Sequence, residues 1–264
     1  MADNPKVALV LGAGSARGLA HIGVLQVLKE NSIDFDFIVG CSMGAMVACV
    51  YACGADLYML DKMIENMNTR LLFDINVPRM GFMAGNRITE FLDLVTKRKS
   101  FADLDFPVIT VSTDLVTGSK IVTSEGSVTE AVRASISIPG VFVPLVKDGM
   151  VLVDGAVCDR LPIDVARDRG ADLVIAVDVT YGAGRKTEFS NAMDVIMTSL
   201  EIMGQHHFES VTADADVLIQ PAVGHINPKE FDRSREIVDL GRRAAEEKLT
   251  EIKNKLALLS GTKE

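Results

Sequence analysis

Gly40-Cys41-Ser42-Met43-Gly44 places one serine between two glycines, after the apolar run 35–39 and before the small, apolar run 45–52. A G-x-S-x-G between a strand and a helix is the pattern of a nucleophile elbow, a sharp turn that lifts the serine oxygen clear of the backbone. Gly40 and Gly44 suit that turn, because strand and helix approach too closely there for a Cβ. The chemistry implied is acyl transfer through a covalent serine, and a serine hydroxyl is a poor nucleophile without a base in hydrogen-bond reach.

Histidine is the usual base, and the four histidines are badly placed for it. His21 falls one turn into the first helical stretch, His206 and His207 lie inside a late one, and His225 follows the last apolar strand. All four read as surface or packing residues, with His225 the least removed from a site. Val151-Leu152-Val153-Asp154-Gly155-Ala156 instead sets an aspartate at the carboxyl end of an apolar strand. Asp154 reads either as the base or as a cap on the next turn. The segment from Gly12 to Gly18 reads as a dinucleotide loop, an oxyanion hole or a plain turn. Arg17 stands where the dinucleotide fingerprint needs its third glycine. Backbone N–H groups that open a helix can hold a tetrahedral oxyanion.

The elements around these residues alternate between apolar strands and amphipathic helices, which predicts an α/β fold with a mostly parallel sheet covered on both faces. Strands are expected at 6–11, 36–39, 107–112, 120–123, 151–153, 173–179 and 216–220. In such sheets ligands bind beyond the carboxyl ends of the strands, where both glycine-rich segments fall. With 264 residues, 48% apolar and 24% charged, the chain is expected to form a single domain over 1–264. A net charge of −9 argues against a broad electrostatic grip on nucleic acid or anionic lipid. Lys97-Arg98-Lys99 reads as a solvated helix end.

Residues 1–5 lack the pattern of a signal peptide, and no apolar stretch is long enough to span a bilayer. Cys41, Cys49, Cys53 and Cys158 lie in apolar segments without metal-ligand or disulfide spacing, so no metal and no cofactor is expected, and a cytoplasmic location is. Residues 71–83 carry large apolar groups around turn residues and read as a lid for acyl chains or as an ordinary core loop. The twelve methionines suit an adaptable acyl pocket but are first of all core fillers.

Taken together, the motifs resemble the patatin-like phospholipase family. Ala13-Gly14-Ser15-Ala16-Arg17-Gly18 is similar to its oxyanion segment ending in Arg/Lys-Gly. Gly40 to Gly44 matches its elbow, and Asp154-Gly155-Ala156 its aspartate segment. Residues 19–25 resemble its first helix, 134–144 its serine- and proline-bearing loop, and 215–221 the closing strand of compact bacterial members. The resemblance implies a three-layer fold and a Ser–Asp dyad of Ser42 and Asp154. It also implies an oxyanion hole from Ala13, Gly14, Ser15, Arg17 and Gly18, with Gly155 and Ala156 shaping the aspartate loop. Arg17 would either neutralise a phosphate headgroup or brace its loop.

Ala13 and Ser15 interrupt the family's run of glycines, and a positive φ at either would strain its Cβ. The implied partners are a lipid or ester substrate and transient membrane-surface contact, with a homodimer through the late helices as an option. Two other readings are a catalytically weak lipid-binding or regulatory protein of the same fold and a nicotinamide-dependent short-chain reductase. The reductase reading rests on Gly14-x-x-x-Gly18 and on Tyr58 and Lys62 in a Tyr-x-x-x-Lys.

Overall fold

The computed structural model describes residues 5–68, 72, 81, 83–180, 195–196, 198–199, 202–203 and 212–261. Most of the expected late helix over 191–210, His206 and His207 included, and most of 71–83 lie outside them. Eight strands form one sheet: β1 (Val7–Leu11), β2 (Phe37–Cys41), β3 (Val108–Asp114), β4 (Lys120–Thr123), β5 (Leu145–Lys147), β6 (Met150–Asp154), β7 (Leu173–Val177) and β8 (Val217–Ile219). Their order is β5-β6-β3-β2-β1-β7-β8, with β4 also on β3. The pairs β3–β2, β2–β1, β1–β7 and β7–β8 are parallel, and β4, β5 and β6 join antiparallel.

Side chains alternate across a strand, so each buried strand feeds two cores. Val7, Leu9 and Leu11 of β1 enter the larger core, and Ala8 and Val10 enter the smaller one. Strand β7 divides in the same way, Leu173, Ile175 and Val177 against Val174 and Ala176. The larger core is covered by α1 (Ala20–Glu30), α2 (Met43–Ala52), α3 (Leu57–Asn66), α4 (Asn86–Val95), α5 (Val128–Ser135) and α7 (Ser234–Gly261). On the other face α6 (Ile163–Asp168) packs Ile163, Val165 and Ala166 over β1 and β7. Near-continuous apolar strands are what burial on both faces requires.

Two edges of β3 decide where the site forms. Thr110–Thr113 pair with β4, Val108–Val111 with β2, and Ser112–Asp114 with β6. Because the β4 span overlaps both others, β4 holds one edge, while β2 and β6 share the opposite edge. Strand β2 runs parallel to β3 and β6 antiparallel, so their carboxyl ends meet head to head. Cys41 is the partner of Val111, and Asp154 the partner of Ser112.

Helices α1 and α7 cross in reciprocal glycine contact. A Cβ on Gly23 would lie 2.1 Å from the carbonyl oxygen of Val238, and one on Gly241 would lie 2.1 Å from that of Ala20. Neither obstacle is a flexible side-chain end, so the helices must separate to admit a methyl. Gly241→Ala is expected to lower stability by about 1–3 kcal/mol, the range for overpacking a filled interface, read as a lower urea midpoint with unchanged slope. An unchanged midpoint would contradict the close contact.

Candidate active site

The turn from β2 into α2 is strained at its centre. Ser42 has φ 54° and ψ −120°, a conformation that favours glycine, and such residues cost about 1–3 kcal/mol each. The glycines around it are required by contact. A Cβ on Gly40 would lie 2.5 Å from Ala45 Cα, and one on Gly44 would lie 2.1 Å from the carbonyl oxygen of Leu11. Gly155 is as tightly set, with 2.5 Å to the carbonyl oxygen of Val111 and 2.9 Å to Cys41 Sγ. The two strand ends therefore meet with no space for a side chain between them.

At that junction Ser42 Oγ donates a 2.6 Å hydrogen bond to Asp154 Oδ2. Both residues are buried, 5% and 4% exposed. The other carboxylate oxygen, Oδ1, accepts the Ala156 N–H at 2.9 Å, which fixes the plane of the group. Burial raises the Asp154 pKa from 3.8 to about 6, against the opposing pull of the bonds from Ser42 and Ala156. Asp154 thus caps the following 3₁₀ turn, Gly155–Val157, and also accepts the serine hydroxyl. Burial also pushes the neighbouring Cys41 thiol well up, so that sulfur stays protonated.

The backbones of both residues are held as well. The Ser42 N–H donates to Ser135 Oγ at 2.9 Å, and that hydroxyl donates to the carbonyl oxygen of Val111 at 2.6 Å. The Asp154 N–H donates to the carbonyl oxygen of Ser137 at 3.0 Å. Thr113 Oγ1 donates to the carbonyl oxygen of Asp154 at 3.1 Å. Ser135, Ser137 and Thr113 are buried hydroxyl residues to which sequence reasoning gave no role. Their only signal was that several hydroxyls fall in stretches otherwise destined for the core.

The glycine-rich segment lies beside the elbow, since a Cβ on Gly18 would lie 2.4 Å from Met43 Cγ. Ser15 has φ 50°, which meets the condition for strain, whereas Ala13 has no positive φ. Among the described residues no acceptor takes the N–H of Gly14 or Ser15. Ala13 differs. Its N–H donates to the carbonyl oxygen of Arg160 at 2.8 Å and is therefore already engaged. Sequence could not reveal this, because Arg160 lies 147 positions away in the chain.

Arg17 is buried, and its Nε donates to the carbonyl oxygen of Ile226 at 2.7 Å, which makes it a brace. The carbonyl oxygen of Pro228 accepts from Ser15 Oγ at 2.8 Å and from the Ala16 N–H at 3.1 Å. A strap over 224–228 thus grips the loop from outside. His21 lies behind it, fully buried, donating through Nε2 to the carbonyl oxygen of Gly12 at 2.8 Å. Burial lowers its pKa to about 4, so it is a neutral packing residue. His225 is exposed and paired with Glu236.

The family model of the patatin-like phospholipases matches residues 9–167, the span that carries all three motifs. The chain belongs to the patatin-like phospholipase family. An uncharacterized NTE family protein of Mycobacterium bovis is 37% identical over 179 residues, which are 67% of this chain and 50% of that protein. Patatin-like phospholipase domain-containing protein 6 of Homo sapiens is 34% identical over 196 residues, 71% of this chain and 14% of that protein. The chain thus spans half or less of the curated relatives it matches.

Among solved structures, VipD from Legionella pneumophila is similar in fold. Its TM-score is 0.63 at 15% identity, over 93% of this chain and 67% of its own. For a patatin-like chain the Tyr-x-x-x-Lys is incidental: Tyr58 sits on α3, its hydroxyl donating to Glu30, which also pairs with Arg242 of α7. Among the described residues no helix is long and apolar enough to cross a membrane.

The displaced carboxylate has a stability consequence. Between pH 3.8 and about 6 the folded protein keeps the Asp154 proton that the unfolded chain has lost. Stability therefore falls as pH rises through that window, by up to about 3 kcal/mol, and stays reduced above it. Asp154→Asn is neutral throughout and escapes this loss. Urea melts of the parent and Asp154→Asn at pH 4 and pH 7 should show the variant gaining relative to the parent at the higher pH. A constant difference would mean that the carboxyl is not displaced.

Proposed function

We propose that this chain is a serine esterase that cleaves fatty-acyl esters of phospholipids or related lipids, with Ser42 and Asp154 as its catalytic dyad. The observation that carries the reading is the 2.6 Å hydrogen bond from Ser42 Oγ to a buried carboxylate whose second oxygen is already engaged. Ser42 Oγ attacks the ester carbonyl carbon while Asp154 Oδ2 takes the hydroxyl proton. The oxygen that gains charge is received by the N–H groups of Gly14 and Ser15, and one such donor is worth about 3–4 kcal/mol in the transition state. Collapse of the tetrahedral intermediate breaks the bond to the alcohol, which leaves with the proton from Asp154. Water then attacks the acyl-serine, again through Asp154, and the fatty acid departs.

A base must be ionised at working pH yet hold a proton well, and its pKa should lie close to that pH. An ordinary aspartate near 3.9 is too weak, whereas burial brings Asp154 to about 6. Family membership supports acyl lipids as the substrate class, and transient contact with a lipid surface would deliver them. A lipid-binding protein without turnover is the second reading, favoured by the strained Ser15 in the oxyanion segment.

Ser42→Ala is expected to lower kcat on short-chain p-nitrophenyl esters on the order of 10⁴–10⁶-fold, and Asp154→Asn on the order of 10⁴-fold by analogy with triad enzymes. A fluorophosphonate should form one adduct, on Ser42. Folded protein that takes no adduct would point to the non-catalytic reading. For the parent, kcat/KM should rise with pH up to about 6 and then level, as the base loses its proton. A flat profile from pH 5 to 8 would remove Asp154 from the base role.

A further inference from the structure

We infer that Ser135 is a positioning residue for Ser42: its hydroxyl fixes the elbow amide against strand β3 and so sets the distance from Ser42 to Asp154. The inference rests on the proposed roles of Ser42 and Asp154 and adds the element that aligns them. Ser42 is held at φ 54°, so some interaction must oppose its relaxation. Its N–H is buried with the site and donates to Ser135 Oγ at 2.9 Å. The Ser135 hydrogen is directed onward to the carbonyl oxygen of Val111 at 2.6 Å. Val111 is the register partner of Cys41, and the next residue, Ser112, is the partner of Asp154. One hydroxyl therefore ties the serine's amide to the strand against which the aspartate is registered.

A serine on a helix commonly returns its hydroxyl to the carbonyl four residues back. Ser137 does this, donating to the carbonyl oxygen of Arg133 at 2.7 Å. Ser135 does not; it is fully buried and its hydroxyl serves β3 and the elbow instead. The backbone of the same turn takes the Asp154 N–H, at Ser137. The end of α5 and the turn after it thus grip the amides of both members of the pair, and only at Ser42 does the grip depend on a side chain. Removing the Ser135 hydroxyl leaves Asp154 buried and bonded to Ala156, and loosening the Ser42 bond takes away a pull that lowers its pKa, so its proton affinity should hold or rise and not fall. Only the approach of the serine is released, and misplacement by about 1 Å costs about a hundredfold in rate.

The experiment compares Ser135→Ala and Ser135→Thr with the parent. It measures melting temperature, phosphonylation of Ser42 by a fluorophosphonate, kcat and KM on p-nitrophenyl butyrate, and hydrogen exchange at the Ser42 amide. Ser135→Ala should lower the phosphonylation rate constant and kcat by about a hundredfold, leave KM in place with a pH midpoint no lower than the parent's, and speed exchange at Ser42. Ser135→Thr keeps the hydroxyl and should restore most of the rate. Should Ser135→Ala not fold, Ser135→Cys, whose thiol is a weak donor and acceptor, carries the same comparison.

The inference is overturned if the variant that lacks the hydroxyl labels as fast as the parent with unchanged exchange. It is equally overturned if Ser135→Thr melts like the parent and remains as slow as Ser135→Ala. If the parent itself takes no label at Ser42, the esterase reading fails. Amide exchange then still reports whether Ser135 holds the elbow.

Discussion

The hydrogen bond from Ser42 Oγ to Asp154 Oδ2 joins residues 112 positions apart in the chain, and the architecture around it can be understood as the means of closing that gap. Two strand ends must meet on one edge of β3, which requires β6 to run against the shared direction of β3, β2, β1, β7 and β8. The meeting is possible only because residues 40, 44 and 155 have no side chain. Each glycine is set against a backbone atom that cannot retreat without moving a strand or helix α2. Burial of the pair then follows from the same closeness, and burial is what displaces the carboxylate's proton affinity.

Much of this was legible beforehand, for reasons that differ between elements. Strands β1 and β7 are continuous apolar runs bounded by turn residues, and they appear within two residues of expectation, as Val7–Leu11 and Leu173–Val177. Strand β3 continues to Asp114, two residues beyond the expected end, because Ser112 and Thr113 find partners in the β4 and β6 ladders. Strand β5 was not foreseen. Three residues with an exposed face, Leu145 to Lys147, carry too little pattern to be told from loop, and only pairing with β6 makes them a strand.

The candidate site shows the same division. Ser42, Asp154 and the glycines announce themselves through spacing, since turns and strand ends restrict residue type locally. The engagement of the Ala13 N–H by Arg160 and of Arg17 by Ile226 is set by contacts 147 and 209 positions away. No local pattern encodes such contacts. The role of Arg17 was therefore open between brace and headgroup ligand until its guanidinium was found turned toward the 224–228 strap. Strain at Ser15 was foreseeable as a condition, and its φ of 50° meets it.

The strap has an implication for the order in which the molecule can be completed on the ribosome. Strands β1, β2, β3 and β6, with the elbow and the aspartate, are all synthesised before residue 168, the last of α6. The carbonyls that grip Ser15, Ala16 and Arg17 belong to Gly224, Ile226 and Pro228. A nascent chain can thus bring Ser42 against Asp154 while its glycine-rich loop still lacks those anchors. Translation itself delivers those anchors after the strands that carry Ser42 and Asp154.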